Sequence, residues 1–287
     1  MASGEDRWSH WLREGRYRGL SEAQVKRLNS SLNRVRNRTL RGARLRSGQR
    51  VLDVGAGTGL LCLEAARRIG ADGLALACDI SLDAVRECSR SARAQSLGVA
   101  AVVGEATALP FPDSSFDRVL TRSVLIYVED KRSAIREFRR VLRPGGRVSV
   151  FEPINRASPF GPWNKMKVAP EIEGQRKRVI EHIRGNWEHE RAMMAFDERD
   201  LVKHFLKAGF SEVKLSYEFT SAVRSMTHEQ TASLLTMRGN PTALTYEEAA
   251  RAVLGLEASE HLERIAVEMS SRPGRQTGAV AYLTARV

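Results

Sequence analysis

Residues 51–59, Val51-Leu52-Asp53-Val54-Gly55-Ala56-Gly57-Thr58-Gly59, constrain this chain more than any other stretch. A short apolar run leads into glycines at every second position, and a helical pattern follows. A ligand approaches a backbone closely only where no Cβ intervenes, which Gly55 and Gly57 permit. The start of a helix beyond Gly59 presents free N–H groups at the same place. The dinucleotide fingerprint spaces its glycines G-x-G-x-x-G. Here the spacing is G-x-G-x-G with Asp53 just before it, which disfavours a nicotinamide-dependent dehydrogenase.

The rest of the chain continues this strand–turn–helix unit. Leu60–Ile69 reads as a helix, Leu74–Cys78 as a strand, Leu82–Leu97 as a helix, and Ala100–Val103 and Arg118–Leu120 as strands. Ser133–Leu142 reads as a helix stopped by Arg143-Pro144-Gly145-Gly146, and Arg147–Phe151 as a fifth strand. This alternation predicts an α/β fold with a parallel sheet and helices on both faces. After Glu152 the rhythm breaks at Pro153, Pro159, Pro162 and Pro170. It resumes at Asp197, a candidate N-cap for a helix burying Leu201, Val202, Phe205 and Leu206 and stopped by Gly209. Val213–Phe219 alternates as a strand, 221–275 reads as polar helix with a break at Gly239-Asn240-Pro241, and Ala279–Val287 is a closing strand.

Acids fall where a nucleoside site needs them. Asp79 ends the second strand, 20 residues beyond Gly59, and is placed to accept from two ribose hydroxyls. Glu105 follows the third strand, placed to accept from an exocyclic amine, and Ile80 and Ala106 are placed to flank a base. Each acid alone also fits an ordinary loop acid at a strand end. At successive strand ends on one sheet edge, where open α/β sheets bind ligands, they point jointly to a nucleoside.

VLDVGAGTGLL (51–61), ACDIS (77–81), GEATALPFPDSSFD (104–117) and REFRRVLRPGGR (136–147) together resemble the class I S-adenosylmethionine-dependent methyltransferases. The likeness is to the type 11 branch that includes quinone-biosynthesis methyltransferases. It covers residues 30–152 well and 197–219 more loosely. It implies a Rossmann-like, mostly parallel seven-stranded sheet with its last strand antiparallel and with helical lid inserts. It also implies S-adenosylmethionine as cofactor. By this resemblance Asp53, Gly55 and Gly57 lie by the methionine part, Asp79 takes the ribose hydroxyls, and Glu105 with Ala106 holds the adenine; Ala56 and Ile80 join them as cofactor-binding candidates. The family usually has Asp where Glu105 stands. Thr121 and Arg122 would line the methyl-transfer mouth, and Tyr17 or Trp11 would close over the cofactor.

The segments this suggests are 1–48, a basic helical cap; 49–152, the cofactor-binding core; 153–194, a lid insert; 195–220, core continued; 221–276, a helical insert; and 277–287, the last core strand. Candidate catalytic residues are Arg122, Tyr127 and Glu152. Arg122 binds an anionic substrate group or pairs with a loop acid. Tyr127 faces the pocket or packs in the core. Glu152 orients or deprotonates an amine or hydroxyl, or anchors the insert; Asn155 is a weaker candidate. Trp163, Met166, Trp187, Met193 and Met194 give the insert an apolar side, as packing or as a lid. A sulfonium methyl is already activated, so no catalytic triad is required.

Charge is the feature that competes with this reading. The chain carries +12, and thirteen Lys and Arg against four Asp and Glu place +9 of it within residues 1–50. Residues 21–40 form a helix pattern with Val25, Leu28, Leu32, Val35 and Leu40 on one side and arginines opposite. Such a segment suits phosphate contacts, so an RNA or protein substrate is the alternative to a small-molecule acceptor methylated at N or O. A non-catalytic cofactor-binding protein is the third reading. No apolar run approaches the roughly 18–20 residues of a membrane span, and residues 1–10 lack a signal-peptide pattern. Three cysteines without a C-x-x-C pair suggest a reduced, cytoplasmic setting. His182 and His189, seven apart, lack further ligands at a metal-binding spacing, so no metal is expected. The oligomeric state is left open.

Overall fold

The computed structural model describes residues 6–157, 168–186 and 189–287. Two N-terminal helices, α1 (Arg7–Arg13) and α2 (Glu22–Ala43), precede the sheet. Then come β1 (Arg50–Val54), α3 (Cys62–Ile69), β2 (Leu74–Asp79), α4 (Leu82–Ala94), β3 (Val99–Val103), β4 (Phe116–Arg122), α5 (Lys131–Val141) and β5 (Leu142–Pro153). Helices α6 (Pro170–Gly185), α7 (Glu190–Met194) and α8 (Glu198–Lys207) lead to β6 (Ser211–Arg224). Helices α9 (His228–Thr236), α10 (Tyr246–Leu254) and α11 (Ala258–Ser271) precede β7 (Gly274–Arg286).

The strands form one seven-stranded sheet in the order β3-β2-β1-β4-β5-β7-β6. Pairs β1–β2, β1–β4, β2–β3 and β4–β5 are parallel, and β7 runs antiparallel to both β5 and β6. The expected α/β architecture with an antiparallel last strand is therefore the one observed. Parallel strands buried on both faces need helices on both sides. One face packs Leu52, Val54, Val119, Val148 and Val150 against Ile135, Phe138, Leu201 and Phe205 of α5 and α8. The other packs Val51, Ala75, Ala77 and Leu120 against Leu40, Ala65, Ile69 and Cys88 of α2, α3 and α4. A separate apolar cluster joins α6, α9, α10 and α11 through Val179, Tyr246, Leu254 and Ile265.

Several boundaries differ from the sequence reading. No turn separates α5 from the next strand: β5 begins at Leu142 and absorbs Arg143-Pro144-Gly145-Gly146, with Gly145 taking φ +75°. Strand β6 continues through Arg224 and β7 starts at Gly274, so both ends of the expected 221–276 helical insert are strand. These ends pair with each other, Arg224 opposite Gly274, and β6 is largely exposed there. Ladder hydrogen bonds rather than apolar burial hold them. Asp197 caps α8 in a capping box with Asp200, and Leu201 and Phe205 are buried, but Leu206 is 55% exposed.

Helix α2 starts with a capping box between Ser21 and Gln24. Only its second half meets the sheet: Leu32 and Leu40 are buried, whereas Val25, Leu28 and Val35 are half-buried. Ser149 Oγ on β5 donates to the Thr39 carbonyl at 2.7 Å, and Arg118 Nε on β4 donates to that of Ala43 at 2.7 Å. Gly42 makes this close approach possible. A Cβ there would stand 2.7 Å from Ser149 Oγ and 2.9 Å from Thr284 Cγ2. Gly42→Val is expected to push α2 off the sheet and destabilise the fold by about 1–3 kcal/mol, as overpacking does. Thermal unfolding measures this; an unchanged midpoint would refute the close-packing account.

Candidate functional site

The C-terminal ends of β1, β2 and β4 meet where the sequence expects a ligand. Gly55 and Gly57 take φ +67° and +53°, conformations that L side chains rarely adopt. A Cβ on Gly55 would lie 2.1 Å from Val124 Cγ2, and one on Gly57 would lie 2.9 Å from Leu12 Cδ1 of α1. Ala56 is buried beside them. Asp79 accepts the Gly57 N–H at 2.7 Å through Oδ2 and the Ser81 N–H at 3.0 Å through Oδ1. Its carboxylate is thus oriented by backbone at the end of β2, and burial pushes its pKa up. Ile80 is exposed and Ala106 buried on the same edge. Glu105 is exposed, bridges to Ala108 through its backbone and accepts from Thr107 Oγ1 at 2.6 Å.

Asp53 is buried on β1, and its Oδ2 has no hydrogen-bond partner in the chain. Burial pushes its carboxyl well above the usual range. Asp53 pairs in register with Leu120, so Asp53, Leu120 and Arg122 share the α2 face of the sheet. Thr121 pairs with Val54 and Val150 and faces the other way, into the α5 side of the core. It is fully buried with its Oγ1 unpartnered. The expected Thr121–Arg122 mouth is therefore split across the sheet by strand alternation. Arg122 makes no ion pair among the described residues, and its guanidinium lies 6.0 Å from the Phe151 ring centroid.

Glu152 lies on β5 and is fully buried. Its Oε1 accepts the N–H groups of Val124 and Leu125 at 3.0 and 2.9 Å, and its Oε2 accepts that of Ile126 at 3.1 Å. The carboxylate serves the loop after β4 and touches no open space, so a role as substrate base is corrected to one of positioning. Tyr127, at the end of that loop, packs edge-on to Trp8 of α1 with centroids 4.8 Å apart and to His189 at 5.6 Å. Burial pushes its phenol up to about 12, so it stays protonated near neutrality.

Tyr17 does not reach this site. Its hydroxyl donates to Asn29 Oδ1 of α2 at 3.1 Å. Trp11 instead ties α1 to the helical insert, Nε1 donating to the Arg238 carbonyl at 3.1 Å. The cap residues at the site are Leu12 against Gly57, Trp8 against Tyr127, and Asp6, which accepts from Ser81 Oγ. Sequence reasoning missed these three because their partners lie far along the chain.

A cavity of about 500 Å³ opens beyond Tyr127, between the strand ends and helices α6, α7, α9 and α10. Ile126, Tyr127, Ile154, Ile180, Ile183, Met193, Leu234, Met237 and Tyr246 line it. Asn155, Asn240 and Thr277 supply polar groups, and no charged side chain takes part among the described residues. Asn240 shapes one wall: its Oδ1 accepts from the Thr242 and Ala243 backbones at 3.0 and 2.8 Å, closing the turn into α10. Trp163, Met166 and Trp187 lie outside the described residues.

The residues present fit a nucleoside cofactor with an amino-acid tail. The glycine turn lies in a conformation that admits close approach, the Asp79 carboxylate is held beside it by two backbone N–H groups, and Asp53 keeps a buried oxygen without a protein partner. The methyltransferase domain family matches residues 52–150. The ubiquinone/menaquinone biosynthesis C-methyltransferase UbiE of Yersinia enterocolitica is 31% identical over 181 residues, which are 60% of this chain and 70% of the relative. The chain belongs to the class I S-adenosylmethionine-dependent methyltransferases, type 11 branch. The UbiE of Cronobacter sakazakii is 38% identical over 39% of this chain, which spans about half, 49%, of that relative's length. The aklanonic acid methyltransferase DauC of a Streptomyces species is 28% identical over 59% of this chain and 78% of its own. Among solved structures, the [4+2]-cyclase SpnF superposes with a TM-score of 0.52 at 22% identity, covering 88% of this chain and 80% of its own. That likeness is one of fold.

Burial pushes the Glu152 carboxyl up to about 7, against the pull of the three N–H donors and of Lys131. An acid whose folded pKa exceeds its unfolded value binds more protons when folded. Its contribution to stability is full below the ordinary carboxyl range and is lost as pH rises through about 7. Lys131, lowered to about 8 by burial, adds its own dependence only above that value. The unfolding midpoint is therefore expected to fall between about pH 5 and 7, with a shallower slope in Glu152→Gln. The amide also has one oxygen for three donors, a loss of about 1–3 kcal/mol. Equal slopes in both proteins would refute the assignment.

Proposed function

We propose that this chain methylates an N or O atom of a small, largely apolar molecule held beneath the helices of its inserts. The observation that carries this reading is the cavity of about 500 Å³, lined by aliphatic and aromatic side chains and reached at Tyr127. Its volume suits a drug-sized molecule, and its few polar groups suit orientation of one polar end. Asn155, Asn240 and Thr277 would orient the acceptor, and Asn240 is held rigidly by its own turn. Among the described residues the lining offers a polyanionic substrate no cation.

S-adenosylmethionine supplies an electrophilic sulfonium methyl, so the protein's task is placement and exclusion of water. Gly55, Ala56 and Gly57 would give the close backbone approach, Asp79 would take the ribose hydroxyls, and Ile80, Glu105 and Ala106 would flank the adenine. Glu152 fixes the loop that carries Val124 against Gly55 and Tyr127 at the cavity wall, so one buried carboxylate aligns the two halves of the site. Tyr127, a neutral phenol, can donate a hydrogen bond but is no general base near neutrality. An amine, or a hydroxyl acidic enough to ionise unaided, therefore suits this site. A carbon acceptor is the second reading, favoured by the C-methyltransferase names of the UbiE relatives. The DauC relative is named for a small-molecule acceptor, aklanonic acid. No helix among the described residues is long and apolar enough to cross a membrane. We place the activity in the cytoplasm, where the three free cysteines remain reduced.

The test is incubation with methyl-labelled cofactor and a panel of apolar phenols, amines, acids and quinols, with mass spectrometry of the products. Label in an ether, ester or methylamine supports the proposal. Label on ring carbon supports the second reading, and label only in added RNA or protein overturns both. Leu234→Trp, which fills the cavity from α9, is expected to raise acceptor KM several-fold while calorimetric affinity for S-adenosylhomocysteine stays the same.

A further inference from the structure

Three arginines stand in one row across the sheet. Arg118 on β4 pairs in register with Arg147 on β5, and Arg147 pairs with Arg286 on β7. Residues paired in register project to the same face. Arg118 also pairs with Val51, which shares a core cluster with Leu40 of α2, so the row lies on the α2 face. It lies just past the end of that helix. Ser149 and Thr284, the next pair on that face of β5 and β7, crowd Gly42 in the last turn of α2. Arg118 Nε reaches the carbonyl of Ala43, the last helical residue, and Arg44 follows as the C-cap.

Like charges directly opposite one another across strands destabilise a sheet. The nearby acids do not balance this row. Arg286 Nη1 donates to Glu212 Oε1 at 3.0 Å, but Arg147 Nη2 stays 3.8 Å from Glu212 Oε2. Arg118 donates to two neutral carbonyls, those of Ala43 and Asp117, at 2.7 Å each. The Asp117 carboxylate is taken by Arg143 Nη1 at 3.2 Å and by the Arg50 N–H at 2.7 Å. Arg44 is exposed and forms no ion pair among the described residues. Arg147, in the middle of the row, is 8% exposed yet makes no hydrogen bond among the described residues. A guanidinium buried that far ordinarily spends its five N–H donors on acceptors. Burial, then the charges of Arg44 and Arg286, lower its pKa, and Glu212 opposes them only in part.

Guanidinium forks match phosphate oxygens, and several forks about one point match a multiply charged oxyanion. We propose that Arg118, Arg147 and Arg286, with Arg44 at the rim, bind a compact phosphate-bearing anion at the end of the sheet opposite the glycine turn. Arg118 pairs with the start of β1, whereas the glycine turn follows its last residue, Val54, so the two sites are separate. The central guanidinium is nearly buried between its two neighbours, which suits a compact ion better than an extended nucleic-acid backbone. The inference stands apart from the methyl-transfer reading, and it gives part of the chain's excess basic charge a ligand.

Calorimetry on the full chain at fixed ionic strength, with inorganic pyrophosphate as the probe, tests it. The wild type is expected to bind pyrophosphate with a Kd below about 1 mM, and Arg147→Gln and Arg286→Gln each to weaken it about tenfold, as loss of a charge-assisted contact does. Without the anion, the thermal midpoint of Arg147→Gln should equal or exceed that of the wild type, because a like charge has been removed from the row. Arg286→Gln, at a half-exposed side chain, carries the test if Arg147→Gln fails to fold. Saturating S-adenosylhomocysteine should leave pyrophosphate affinity unchanged. No pyrophosphate binding by the wild type overturns the site, as does affinity that survives in both variants. A lowered midpoint in Arg147→Gln with unchanged pyrophosphate affinity also overturns it and leaves Arg147 as a partner of Glu212 alone. Competition with S-adenosylhomocysteine overturns it by moving the anion to the glycine turn. Binding of an RNA oligonucleotide but not of pyrophosphate overturns it in favour of a nucleic-acid surface.

Discussion

The carboxylate of Glu152 is the contact on which the site depends. Accepting three consecutive backbone N–H groups, it holds residues 124–126 in one geometry at the C-terminal edge of the sheet. Val124 then closes on Gly55, and Tyr127 stands at the wall of the cavity. A neighbouring cation completes the arrangement. Lys131 Nζ donates to the Val128 and Ala192 carbonyls at 2.8 and 2.9 Å and lies 4.7 Å from the Phe196 ring centroid. The loop after β4 is thereby tied to α5, to α7 and to β5. Water cannot satisfy these groups in the interior, so removing either charge leaves buried donors or acceptors without partners.

The basic N-terminal segment is structural over much of its length. Arg38 stacks 3.7 Å from the Tyr282 ring centroid and pairs with Glu218, fastening α2 across β7 and β6. Trp8, Leu12 and Asp6 bring α1 onto the strand ends, and Trp11 links it to the helical insert. Helix α1 thus joins the glycine turn after β1 to the segment between α9 and α10. A net charge of +12, which alone suggests a polyanionic partner, sits largely in residues 1–50, where α2 packs its second half on the sheet and several of its arginines face water.

The glycine turn, the strand–helix rhythm and Asp79 were legible in the sequence because each is a local signal: a period, a breaker, or an acid at a strand end. The long ends of β6 and β7 were not. They are polar and exposed, so they carry no apolar alternation, and only their mutual pairing makes them strands. Leu206 fitted a buried helical stripe and lies in solvent because α8 presents a narrower face to the sheet. The RPGG run, a strong stop in sequence, enters β5 because Gly145 absorbs the bend.

By itself, the sequence determined that this chain builds a mostly parallel α/β sheet with a glycine turn and an acid, Asp79, at the ends of β1 and β2, because local backbone preferences and hydrophobic period suffice for that. Tertiary structure decided what its isolated side chains do. Glu152 became a backbone anchor, Thr121 and Arg122 were divided between two faces, and Tyr17 turned to Asn29. A side chain's role depends on which groups meet it after burial. Those partners are up to 227 positions away, as with Trp11 and Arg238, where no local pattern records them.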